Sequence, residues 1–174
     1  MMKHIFWCIA GICGLWLEVS ISSYVRIADL KINVVLIILL ILMLRWKSPL
    51  LLFYGWAFGF MGDSLSHSIL GVNALSFFLT LLLTRWIGEW IYDDNVLSTV
   101  LFVGLLSFAE GGVTLTLLKL LDTDLPWNFL FFKTVLPISI IHGLICPIFL
   151  IILLRFERFF HLDPENQMAA SSSP

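Results

Sequence analysis

Apolar residues in this chain come in long unbroken blocks, not at the three- and four-residue spacing of a helix with one buried face. Six blocks stand out: about Ile5 to Val25, Ile32 to Trp46, Leu50 to Met61, Val72 to Ile91, Val96 to Leu121 and Phe129 to Phe160. A helix that crosses a bilayer needs roughly 20 residues at about 1.5 Å each. The first, fourth, fifth and sixth blocks meet that length. The second and third are short, and either thin the bilayer locally or form a helical hairpin broken at Lys47-Ser48-Pro49. The pattern predicts an all-α integral membrane protein, a compact bundle of about six transmembrane helices with two of them short. Four or five helices stay open as alternative counts. A single polytopic domain is expected over residues 1–160, with a disordered cytoplasmic tail over 161–174, where Asp163-Pro164-Glu165-Asn166 and three serines have nothing to bury.

Composition points the same way. Of 174 residues, 60% are hydrophobic and only 13% charged, against about a quarter charged in soluble domains. The first block follows Met1-Met2-Lys3-His4 without a convincing small-residue cleavage site, so it reads as a retained helix. A net charge of −2 without a basic run argues against nucleic acid and against clamping of anionic lipids. Cys8, Cys13 and Cys146 form no CxxC and read as small packing residues.

Lys and Arg in the short loops set the orientation. With the N-terminus inside, Lys3, Arg45, Lys47, Arg85, Arg155 and Arg158 fall in the cytoplasm, and Arg26, Lys31, Lys119 and Lys133 outside. Both termini are therefore expected in the cytoplasm of a multi-pass protein. The tryptophans lie mostly toward block ends, as interfacial belts require.

Against this apolar background, a few polar and small residues carry the information. Gly55, Gly59 and Gly62 share one helical face, where a second backbone can approach closely: another helix of this chain, or a partner's single helix. Asp63 ends that block and is expected to cap the following turn by accepting backbone N–H bonds, with a further role in contact with a partner as the alternative. Gly71 opens the next helix, where a tight re-entry turn favours glycine. His67 follows Asp63 by four residues, yet two such groups without a third do not make a metal site. Glu18, Glu110 and His142 each sit on a stripe of small or polar residues: Gly11, Gly14 and Ser22; Ser107 and Thr114; Ser139 and Cys146. All three stripes should face the interior, with a Glu110–His142 hydrogen bond as one way to satisfy both groups. Pro137 and Pro147 each remove a backbone donor and bend the last helix, and Asp93-Asp94-Asn95 reads as a solvated turn. No HExxH, G-x-S-x-G, P-loop or dinucleotide fingerprint is present. Neither catalysis nor a metal or cofactor is expected.

The order of these features resembles the rod shape-determining protein MreD family. The resemblance rests on Lys31-Ile32-Asn33 at the start of the second block and on a Gly-rich third block from Gly55 to Asp63. A Ser-containing turn and Leu70-Gly71 follow, then His142-Gly143 and Pro147 in the last block before a basic end. Two positions depart from the family pattern, Ile32 in place of Pro and His142 in place of Asn. The resemblance implies a non-enzymatic inner-membrane subunit of the bacterial cell-elongation (rod) complex. It would scaffold the bitopic protein MreC and, through it, MreB and the peptidoglycan synthase RodA with its partner transpeptidase. The same resemblance implies a fold similar to the substrate-binding subunits of energy-coupling-factor vitamin transporters. That class is the alternative function, with Ala10-x-x-x-Gly14 as a weak match to its coupling surface.

Overall fold

The computed structural model describes residues 2–24, 33–66, 69–91, 95–121 and 131–159. His67, Arg26, Lys31, Asp93, Asp94, Trp127 and the tail from His161 lie outside the described residues. The described chain is all helical: α1 (Met2–Tyr24), α2 (Val34–Trp46), α3 (Leu50–Ser66), α4 (Val72–Ile91), α5 (Val96–Leu121) and α6 (Leu136–Phe159), the last entered through a π-helical turn at Phe131–Val135.

α2 is the axis of the structure, and its sequence explains why. Between Asn33 and Arg45 there is no polar side chain, so the helix has no face suited to water. Every residue from Val34 to Leu44 is buried, and each of the other helices packs against α2. Lys47 ends the helix in the left-handed conformation (φ 47°), its N–H bonded to Met43 O, and Pro49 prevents continuation.

α3 runs one turn beyond Met61, the end expected from hydropathy. The polar Gly-Asp-Ser stretch stays helical, with Ser64 Oγ bonded back to Phe60 O at 3.0 Å. At the head of α6, the Pro137 ring would meet the Lys133 carbonyl four residues earlier in a regular α-helix. The chain meets that conflict with the wider π turn over Phe131–Val135.

Two stretches, Val96–Leu121 and Phe131–Glu157, are long and apolar enough to cross a membrane. α1 and α4 hold shorter apolar stretches, Phe6–Glu18 and Val72–Gly88, where the sequence had suggested full spans. In α4 the stretch stops at Gly88, just before Glu89. The outward faces carry large apolar side chains, among them Trp16, Phe53, Leu101, Leu144 and Ile151. The buried set includes Glu18, Asp63, Ser76, Thr80, Thr84, Ser107, Glu110, His142 and Glu157.

Candidate functional site

Most of the polar residues singled out in the sequence gather toward the end at which α2 and α4 begin. Asn33 caps α2 through its side chain, Oδ1 accepting from Leu36 N–H at 3.3 Å. The Asn33 backbone N–H, which faces away from its own helix, is taken up by His142 Nε2 of α6 at 3.0 Å. A backbone N–H can only donate, so Nε2 is bare and the proton of the neutral ring sits on Nδ1. That nitrogen is hydrogen-bonded to Ser107 Oγ of α5. One fully buried imidazole thus joins three helices.

A neighbouring cluster ties α4 to α5. Ser76 Oγ lies 3.1 Å from Glu110 Oε1, while Thr114 Oγ1 lies 2.9 Å from the same oxygen and 2.8 Å from Ser76 Oγ. Ser107, Glu110 and Thr114 follow one another on α5 at intervals of three and four residues, so the two clusters form one column along that helix. The direct Glu110–His142 bond foreseen from the sequence is not made. Ser107 and Asn33 occupy both ring nitrogens of His142, and the hydroxyls of α4 and α5 reach Glu110 first.

Asp63 provides the third joint. Its carboxylate accepts from Gly71 N–H at 2.9 Å, Asn73 N–H at 3.3 Å and Ala74 N–H at 3.4 Å, closing the first turn of α4. The cap is the one expected, with the acceptor supplied by the preceding helix. Gly71 has φ +95°, a conformation in which a Cβ is strained, so the turn needs glycine.

The glycine face of α3 divides into two parts. A Cβ on Gly59 would lie 2.6 Å from Ala74 Cα and 2.8 Å from both Ala74 N and Asn73 O, so α3 and α4 cross there backbone to backbone. A Cβ on Gly55 would meet Leu81 Cδ1. The space beside Gly55 and Gly59 is therefore filled by α4 and is closed to a partner helix. Gly62 has open space beside it. Glu18 is buried on the α1 face it shares with Gly11 and Gly14, which pack against Phe58, Val35 and Ile38.

Sequence reasoning missed the joint at the opposite end. Glu157 of α6 is 3% exposed and receives Arg45 Nη2 at 3.0 Å, Arg45 Nε at 3.2 Å and Trp46 Nε1 at 2.8 Å. The signal was available: Ser139, His142, Cys146, Leu150, Leu153 and Glu157 recur every three or four residues, and all are buried. Read as one stripe, they place Glu157 inside with His142 and not among the arginines of the last turn. His142 meets the start of α2 and Glu157 its end, so α2 and α6 run parallel and are fixed together at both ends.

Chemically the arrangement fastens helices. Among the described residues no group of three or more His, Cys, Asp and Glu could hold a metal ion. We expect His142→Ala to lower stability by about 2 kcal/mol, because it leaves the Asn33 N–H without its acceptor and opens a cavity among three helices. Thermal unfolding of the detergent-purified variant measures this; a shift within error would remove His142 from the set of joints. Comparison with family models, curated proteins and solved structures finds no match for this chain.

Proposed function

We propose that this chain is a multi-pass inner-membrane subunit of the bacterial cell-elongation complex, a non-enzymatic scaffold that holds MreC and, through it, the peptidoglycan synthase. One observation carries the proposal. The positions on which the MreD resemblance rests engage one another across the fold: Asn33 with His142, and Asp63 with Gly71. Residues that joined helices would form such a signature, whereas residues of a reaction centre would converge on an open space.

The membrane part of the reading is supported by the distribution of side chains. Apolar groups cover the outside, while Asp63, Ser76, Ser107, Glu110, His142 and Glu157 are buried and hydrogen-bonded within, the arrangement a bilayer favours. The parallel course of α2 and α6 agrees with six alternating crossings, which bring every second helix into the same direction. In that arrangement α2 can be short, because its protein neighbours shield it from lipid on all sides. The Asp63–Gly71 end faces outward and the Arg45–Glu157 end faces the cytoplasm.

The test is affinity purification of the tagged chain from native membranes in mild detergent, with mass spectrometry of proteins and small molecules. Recovery of MreC with the synthase pair is the expected result. A chain recovered alone, carrying a stoichiometric metabolite, would contradict the proposal and favour the vitamin-transporter alternative.

A further inference from the structure

The oxygens around Glu110 converge on one point of the α4–α5 seam. Ser76 Oγ lies 3.1 Å from Glu110 Oε1 and 3.3 Å from the Glu110 backbone O. Thr114 Oγ1 lies 2.8 Å from Ser76 Oγ and 2.9 Å from Glu110 Oε1. One carboxylate, one carbonyl and two hydroxyls thus stand together, with Ser76 and Glu110 both buried.

Thr80 adds an oxygen that internal pairing does not use. The residue is 1% exposed, and its hydroxyl has no hydrogen-bond partner among the described residues. Other threonines here settle the same problem locally: Thr84, Thr99 and Thr116 each donate to the carbonyl four residues before them. Thr80 does not, and a buried hydroxyl left unpaired is costly enough to need a reason. It stands one turn from Ser76 on the same buried row of α4. Since α4 and α5 are joined by a short connection, they run antiparallel. The Thr80 turn therefore lies beside the turn of α5 that precedes Glu110, and adjoins the oxygen cluster from within.

We propose that Glu110, Ser76, Thr114 and Thr80 form a binding site for one sodium ion between α4 and α5. Glu110 supplies a carboxylate oxygen and its backbone carbonyl, and the three hydroxyls complete a shell of oxygens. Such donors suit a hard cation and not a transition metal, in keeping with the lack of a His, Cys, Asp and Glu cluster among the described residues. One carboxylate among these neutral donors matches a single positive charge, whereas calcium sites gain affinity by collecting carboxylates. Oxygens 2.8–3.3 Å apart close around a small ion, and potassium would have to spread them further. Half-buried Thr114, about 10 Å along α5 from Leu121, opens the way from the outer end. Once bound, the ion draws α4 and α5 together beside the Ser107–His142 joint. The membrane reading above enters only in the side of entry. No partner protein is needed, so the site stands or falls apart from the cell-elongation assignment.

The test is binding of radiolabelled sodium ion to the detergent-purified chain by equilibrium dialysis. Thermal unfolding is followed in parallel in sodium, potassium and choline chloride at equal concentrations. The expected result is one sodium ion per chain and an unfolding temperature that rises saturably with sodium chloride alone. Glu110→Gln should abolish both effects. Thr80→Val keeps the shape of the side chain and loses only the hydroxyl. It should weaken sodium binding about tenfold, yet unfold no earlier than the parent in choline chloride. That split distinguishes an ion ligand from a structural hydroxyl, and it decides the matter if Glu110→Gln does not fold. Thr116→Val, which removes an exposed hydroxyl bonded within its own helix, should leave binding unchanged. Equal stabilisation by all three salts, no saturable sodium binding, or a Thr80→Val variant that binds sodium as the parent does would overturn the proposal.

Discussion

Gly59→Leu should abolish the native packing of α3 on α4, with a loss of at least about 3 kcal/mol and little or no folded protein recovered. The atoms a side chain would meet are backbone atoms of Ala74 and Asn73, which cannot rotate away. To make room, the two helices must separate, and separation draws Asp63 away from the N–H groups of Gly71, Asn73 and Ala74. The substitution therefore costs a helix crossing and a helix cap together. Gly62→Ala, one turn further along, is the control: nothing lies within 4 Å of the added carbon, and alanine is favoured over glycine within a helix by about 1 kcal/mol. Size-exclusion profiles and thermal unfolding in detergent distinguish the two. A folded Gly59→Leu variant with parental stability would refute the crossing.

The second large effect is expected at the opposite end. Glu157→Ala leaves the Arg45 guanidinium and the Trp46 indole N–H without the carboxylate that both address. Arg45 is largely buried, with 18% of its side chain exposed, so water replaces the lost partner only in part. Removing one member of such a pair costs about 3 kcal/mol, near the low end for a fully buried ion pair. The pair Arg45→Met with Glu157→Leu should recover much of that loss, since two apolar side chains leave no uncompensated charge. Thermal unfolding of the single and double variants decides the point. A double variant no more stable than Glu157→Ala would mean that packing, and not charge, holds the joint.

These two sites also show what the amino-acid sequence discloses. Block length and polarity gave the helix count and most helix limits, because a chain this apolar interrupts its helices mainly at polar, proline and glycine residues. The role of Asp63 was legible, since a carboxylate at a helix end before Leu-Gly has few other uses. Inward placement of Glu18, Glu110 and His142 was legible from their stripes. Their partners were not. Which hydroxyl reaches Glu110 depends on how α4 lies across α5, and the serine and threonines of α4 (Ser76, Thr80 and Thr84) looked like ordinary helix positions. Gly55 and Gly59 advertised a close approach without saying whose backbone would come near; Ala74 and Leu81 of the same chain supply the answer. Glu157 was hidden for a different reason. Arg155 and Arg158 beside it suggested a solvated end, although its spacing from His142 and Cys146 already placed it on the buried stripe.

The joints share a logic. Several polar residues inside the fold connect helices distant in sequence: Asn33 with His142, Ser76 with Glu110, Arg45 with Glu157. In lipid the hydrophobic effect gives one helix little preference for another, so packing and hydrogen bonds of this kind select the arrangement.

The central claim is that the chain crosses a bilayer with the Lys47 end and the Leu70 end of α3 on opposite sides. In a background with Cys8, Cys13 and Cys146 replaced by alanine, Lys47→Cys and Leu70→Cys can each be labelled with a membrane-impermeant maleimide. The account predicts that Leu70→Cys reacts from the outer face of intact spheroplasts, and that Lys47→Cys reacts only after the membrane is opened. Labelling of both positions from the same side, or recovery of the chain in the soluble fraction, would contradict it.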